Sequence, residues 1–168
     1  ISDCTYYPTK KFAMKVLSKF GVKIDFYNPS NIDTLKEKIN KKTKVIFMES
    51  PASLTFEIED MSEIIKIAKR KKIITMLDNS WATPFYFSPI KIGVDISILA
   101  ATKYISGHAD TMLGLITVKN EKNFFKIKDT AVNLGDSPGP QECYLGLRGL
   151  RTLSTRLEQH RFSALKIA

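Results

Sequence analysis

Two short apolar runs constrain this chain more than any other feature: Ile73-Ile74-Thr75-Met76-Leu77 and Ile96-Ser97-Ile98-Leu99-Ala100. Each is too short for a buried helix and reads as a buried strand. Each also runs into polar residues that a core would not choose, Asp78 after the first and Thr102-Lys103 just past the second. Helical patterns precede and separate such runs along the chain. That alternation predicts the α/β class, a mainly parallel sheet covered by helices. Open sheets of this kind place ligands beyond the carboxyl ends of their strands. A carboxylate and an amine delivered to neighbouring strand ends therefore look like two fixed points of one site.

The other elements follow from spacing. Thr9 to Phe20 carries Phe12, Ala13, Val16 and Leu17 on one helical side and stops at Gly21. Val22, Ile24 and Phe26 alternate with polar residues and predict a half-buried strand. Ser30 with Asp33 resembles a capping box ahead of a helix through Ile32, Leu35 and Ile39. Lys44 to Met48 predicts a strand ending at Glu49-Ser50-Pro51, and Asp60 with Glu63 opens a further helix. Beyond Asp78 the chain turns irregular between Pro84 and Pro89. Leu113 to Val118 predicts another strand, and Glu121 to Asn133 a helix. After the break at Gly135 to Pro140, Pro140 suits a first helical position. Leu145, Leu150, Leu153 and Leu157 then predict one helix almost to the end.

The 168 residues suffice for one domain with a real core. The formal charge of +9 raises nucleic acid as a partner. The lysines are scattered, however, and the Lys69-Arg70-Lys71-Lys72 cluster falls where a helix should end and cations complement its dipole. Solvated helix faces account for the charge, and no nucleic-acid partner is expected. No apolar run reaches the roughly 18 residues of a membrane helix, and the start lacks the order of a signal peptide. Cys4 and Cys143 form neither a disulfide framework nor a metal spacing, which makes a reducing cytoplasm the default setting.

Asp78, Thr102 and Lys103 together suit pyridoxal phosphate (PLP). An amine forms an imine with an aldehyde, a carboxylate holds a pyridinium nitrogen protonated, and a hydroxyl binds phosphate. The words around them carry a resemblance. Asp78-Asn79-Ser80-Trp81-Ala82-Thr83-Pro84 followed by Ala101-Thr102-Lys103-Tyr104-Ile105-Ser106-Gly107-His108-Ala109-Asp110 resembles the Cys/Met-metabolism family of PLP-dependent enzymes. The likeness is strongest to the branch that cleaves carbon–sulfur bonds by β-elimination. It implies the large domain of the aspartate-aminotransferase-like fold (fold type I) over residues 1–150. It also implies that residues 151–168 begin a helix linking to a small C-terminal domain.

By the same resemblance, Lys103 is the Schiff-base lysine and Thr102 the phosphate-contacting hydroxyl, with Ala100 where many relatives carry Ser. Asp78 pairs with the pyridine nitrogen. Tyr6 stacks over the cofactor ring, with Tyr7 as its rival. Ser53 stands where relatives carry an Asn near the ring hydroxyl, and Trp81 is either a substrate contact or a core aromatic. His108 and Asp110 are expected to shape a turn behind Lys103. The implied activity belongs to methionine and cysteine metabolism: cystathionine, or a related thioether amino acid, is split into homocysteine, pyruvate and ammonia. A γ-acting relative and an inactive remnant are the alternatives. A full-length relative is expected to be a dimer or tetramer, whose partner subunit completes the phosphate site. The phosphate cup before Tyr6 and the substrate-carboxylate arginine lie outside these residues, so the chain is expected to be a fragment with little activity alone. Leu153, Leu157 and Leu165 are then expected to lie uncovered.

Overall fold

A computed structural model describes residues 1–168. In order, the elements are α1 (Tyr7–Lys15), α2 (Ile32–Lys38), β1 (Val45–Glu49), α3 (Met61–Lys71), β2 (Ile74–Asp78), α4 (Thr83–Tyr86), α5 (Pro89–Ile92), β3 (Ile96–Ala100), β4 (Gly114–Val118), α6 (Glu121–Leu134), α7 (Pro140–Leu150) and α8 (Leu153–Ile167). The four strands form one sheet in the order β1-β2-β3-β4, and the class is the mainly parallel α/β fold the sequence predicts. By compactness the chain divides into two units. The first holds residues 1–78 and 89–97, the second residues 79–88 and 98–168.

In the first unit β1 and β2 pair in parallel, from Val45 opposite Ile74 to Glu49 opposite Asp78. Ile46, Met48 and Leu77 are fully buried there, with Ile64 of α3. Burying each such side chain stabilises by roughly 1.5–3 kcal/mol. Helix α3 starts as its sequence says, with the Asp60 carboxylate accepting from the Glu63 amide at 3.0 Å. Lys69, Arg70 and Lys71 fill its last turn, and Lys72 ends it in the left-handed conformation (φ 56°). Ahead of β3, Asp95 Oδ2 accepts from both the amide and the hydroxyl of Thr75, each at 2.9 Å. The Asp95 amide in turn donates to Thr75 Oγ1 at 3.0 Å.

The second unit is built on a cluster of Leu99, Ala101, Ile105, Leu153 and Leu157, with Tyr104 and Leu113 packed against it. β3 ends where the Ala100 amide donates to Ser80 Oγ at 2.7 Å instead of to a strand.

Four expectations need correction. Residues 22–26 form no strand; one bridge between Ser2 and Tyr27 is the only pairing nearby. Without a partner ladder an alternating pattern has nothing to fix it, and Val22 is exposed. The cap of α2 is Asn31, whose Oδ1 accepts from the Asp33 amide, rather than Ser30. The terminal helix is two helices, α7 and α8, interrupted at Arg151-Thr152. Leu153 and Leu157 are buried, and of the three leucines expected to lie open only Leu165 does. No helix is long and apolar enough to cross a membrane.

Candidate active site

In the first unit, Tyr6 and Asp78 meet at one strand end through Glu49. The parallel register sets Glu49 and Asp78 side by side as the last residues of β1 and β2. The Glu49 carboxylate accepts from the Tyr6 amide at 2.8 Å. Tyr6 sits at the N-cap position of α1 and Tyr7 opens the helix itself. Behind this layer lies Glu59, which the sequence did not single out. It is 3% exposed. Its Oε1 accepts from the Glu49 amide at 3.0 Å and its Oε2 from the Tyr27 hydroxyl at 2.5 Å. The Ser50 hydroxyl accepts from the Glu59 amide at 3.0 Å. Burial pushes the Glu59 carboxyl above the usual range, against the hydrogen bonds from Tyr27, the Glu49 amide and Ser2.

In the second unit, Thr102 and Lys103 lie on a tight turn directly past β3. The Ser106 amide donates to the Ala101 carbonyl at 2.9 Å, and the Gly107 amide to the Lys103 carbonyl at 2.8 Å. Gly107 takes a left-handed φ of 72°, which closes the turn without a side-chain penalty. Thr102 Oγ1 accepts from the Leu113 amide at 2.8 Å. The hydroxyl donates in turn to the Leu113 carbonyl at 3.2 Å, which also receives the Thr102 amide at 3.0 Å. These reciprocal bonds anchor the Thr102 hydroxyl beside Lys103. His108 Nδ1 lies 2.6 Å from the Ser106 carbonyl, and Asp110 pairs with Arg148 at 2.5 Å. The first is local to the turn; the second ties it to α7.

An open concavity of about 980 Å³ is lined by Thr102, Lys103, Tyr104, Thr111, Arg156 and His160, among others. Thr111 Oγ1 is buried with no hydrogen-bond partner. The preceding loop is fixed by Asn79, whose amide donates to the Ile98 carbonyl at 2.8 Å and whose Nδ2 donates to the Phe87 carbonyl at 3.0 Å. Trp81 on that loop is 55% exposed.

The sequence model of the family described as "Cys/Met metabolism PLP-dependent enzyme" matches residues 1–168. The chain belongs to this family. Among curated relatives of the family, an L-alanine/L-glutamate racemase of Wolbachia pipientis wMel is 41% identical over the whole chain and 41% of its own length. A putative cystathionine beta-lyase of Saccharomyces cerevisiae is 40% identical over the whole chain and 49% of its own. The cystathionine beta-lyase of Lactococcus lactis subsp. cremoris is 38% identical over the whole chain and 44% of its own. The crystal structure of cystathionine gamma-lyase from Lactobacillus plantarum complexed with L-serine superposes with a TM-score of 0.96 at 30% identity, over 99% of this chain and 44% of that one. The chain thus spans a little under half the length of the relatives it matches.

The family's cofactor is PLP. The residues present suit it: Lys103 exposed on a fixed turn, the Thr102 hydroxyl beside it and, in the first unit, the Asp78 carboxylate at a strand end.

Proposed function

We propose that this chain carries the cofactor-anchoring part of a carbon–sulfur lyase that cleaves cystathionine by β-elimination, giving homocysteine, pyruvate and ammonia. The observation that carries the proposal is the Thr102-Lys103 turn. An exposed lysine is held past a strand end by main-chain bonds that close the turn around it. Bound PLP supplies an electron sink for charge left at the substrate Cα. Lys103 would hold the cofactor through its side-chain amine, and that amine is the base placed to take the Cα proton. The Thr102 hydroxyl would bind the phosphate. Asp78 keeps a proton on the pyridine nitrogen. Tyr6, its backbone held by Glu49, would supply an aromatic ring to the cofactor. Trp81, exposed on the loop after Asp78, contacts substrate. The complete enzyme works as a homo-oligomer.

A second reading rests on the Wolbachia racemase, as similar to this chain as the lyases are. Both reactions begin by removing the Cα proton. They part afterwards, when a thiolate leaves Cβ or a proton returns to the opposite face. One experiment addresses both. The chain is incubated with PLP, reduced with borohydride and mapped, and label should concentrate on Lys103. Cystathionine is then supplied and products are assayed. Pyruvate supports β-elimination, 2-oxobutyrate indicates a γ-acting enzyme, and D-alanine formed from L-alanine indicates a racemase. Equal label on other lysines would sink the assignment of Lys103.

A further inference from the structure

The turn that bears Lys103 is held from behind by a residue that no sequence motif marked. Four N–H groups of the Arg156 guanidinium on α8 are engaged. Nη1 donates to the Tyr104 carbonyl at 2.7 Å, and Nη2 to the carbonyls of Ile105 at 3.2 Å and Gly149 at 2.7 Å. Nε donates to Thr152 Oγ1 at 3.0 Å. Three of these acceptors are main-chain oxygens, and two belong to the residues directly after Lys103. A Cβ on Gly107 would sit 2.2 Å from Arg156 Nη1 and 2.4 Å from its Cζ, so the guanidinium lies flat against the closing residue of the turn. From α7, a Cβ on Gly149 would meet the Ser106 carbonyl at 2.2 Å and the Ile105 carbonyl at 2.3 Å. The turn is clamped between a glycine face of one helix and an arginine fork of the next.

We infer that Arg156 is a positioning residue for Lys103: its planar fork binds the Tyr104 and Ile105 carbonyls and so fixes where the Lys103 amine is presented. This rests on the reading of Lys103 as the cofactor lysine. Several small hydrogen bonds acting on consecutive carbonyls leave the turn one orientation, where a single bond would leave it a hinge. A lysine in place of Arg156 keeps the charge, but its point-like ammonium cannot span the same carbonyls in a plane. Arg156 acts on the turn through the Tyr104 and Ile105 carbonyls, the main chain directly after Lys103.

The test compares the full chain with Arg156→Ala and Arg156→Lys in two measurements. One is borohydride-trapped PLP at Lys103 relative to all other lysines. The other is hydrogen exchange of the Ser106 and Gly107 amides relative to those of α3, without cofactor. Each is repeated for Arg156→Ala with millimolar methylguanidinium or methylammonium. The expected result is a tenfold or greater fall in Lys103-specific label and a tenfold or greater rise in exchange at Ser106 and Gly107, with α3 unchanged. Methylguanidinium should restore most of both; methylammonium should restore neither. If Arg156→Ala does not fold, Arg156→Lys carries the same comparison and should show the same two changes. Label within twofold of the parent in a folded variant overturns the inference, and so does faster exchange without loss of label, which would make Arg156 a stabilising residue only. If the parent itself fails to label Lys103, the cofactor reading falls. The exchange data then still decide the clamp, supporting it with guanidinium rescue and overturning it without.

Discussion

Each unit fixes the chain beyond a strand with one polar side chain, and the two choices are opposite in sign. In the first, buried Glu59 offers only acceptors and gathers the Glu49 amide and the Tyr27 hydroxyl. In the second, Arg156 offers only donors and gathers three carbonyls. The difference has consequences. A carboxylate titrates and has a neutral isostere of the same shape, whereas a guanidinium never loses its charge in a protein and has no close substitute. The first anchor is therefore adjustable by pH and the second is not.

The largest effect should come from filling the glycine face of the second anchor. Gly149→Ala drives a methyl group into main-chain oxygens that cannot swing aside. A loss of about 3 kcal/mol is expected, the upper part of the overpacking range, measured by urea unfolding of parent and variant. A loss under 1 kcal/mol would show that the turn is loosely held. Next comes the first anchor: Glu59→Ala strands the Glu49 amide and the Tyr27 hydroxyl and should cost about 2 kcal/mol. Glu59→Gln can accept from one and donate to the other, and should lose less than half as much. An equal loss for both variants would break the contrast between replaceable and irreplaceable anchors. A control for backbone conformation alone is Gly21→Ala, at φ 77° with nothing within 4 Å of the new Cβ. Only the left-handed penalty remains there, about 1 kcal/mol.

The smallest effect is a slope. Burial raises the Glu59 carboxyl above its unfolded value, so the folded chain binds that proton more tightly than the unfolded chain does. The associated stability is complete below the unfolded value of about 4.3. It is lost as pH rises through the raised folded value, and above that window the contribution is flat. Urea midpoints across this range should fall with pH in the parent and lose that part of their slope in Glu59→Gln. An identical slope in both would assign the titration elsewhere.

Strand ends and helix starts were legible because local chemistry encodes them. Asp60 with Glu63 capped α3 as its spacing required, and the apolar runs stopped at Asp78 and before Thr102. The family words around Lys103 were legible as well. The pattern at Val22 to Phe26 misled, because alternation describes a strand only where a neighbour pairs with it. The break between α7 and α8 was hidden by leucines that kept a helical spacing across it. Both anchors escaped notice for a common reason: they bind main-chain atoms, and a carbonyl or an amide looks the same under every residue. Arg156 reads in the sequence as another cation in a basic helix, and Glu59 as half of an acidic pair with Asp60.

The reciprocal pair of Thr75 and Asp95 works as an alignment pin. In β2, Thr75 and Leu77 point inward while Ile74, Met76 and Asp78 are only half-buried. Sliding a strand by one residue exchanges its two faces. It would turn Leu77 toward water and drive the Asp78 carboxylate into the hydrocarbon interior. The three hydrogen bonds between Thr75 and Asp95 make such a slide unfavourable at the opposite end of the strand from Asp78. Which way Asp78 points is thus decided three residues upstream, by a threonine and an aspartate that never touch a ligand. Substitutions there would misaim the carboxylate without altering any residue a motif search would inspect.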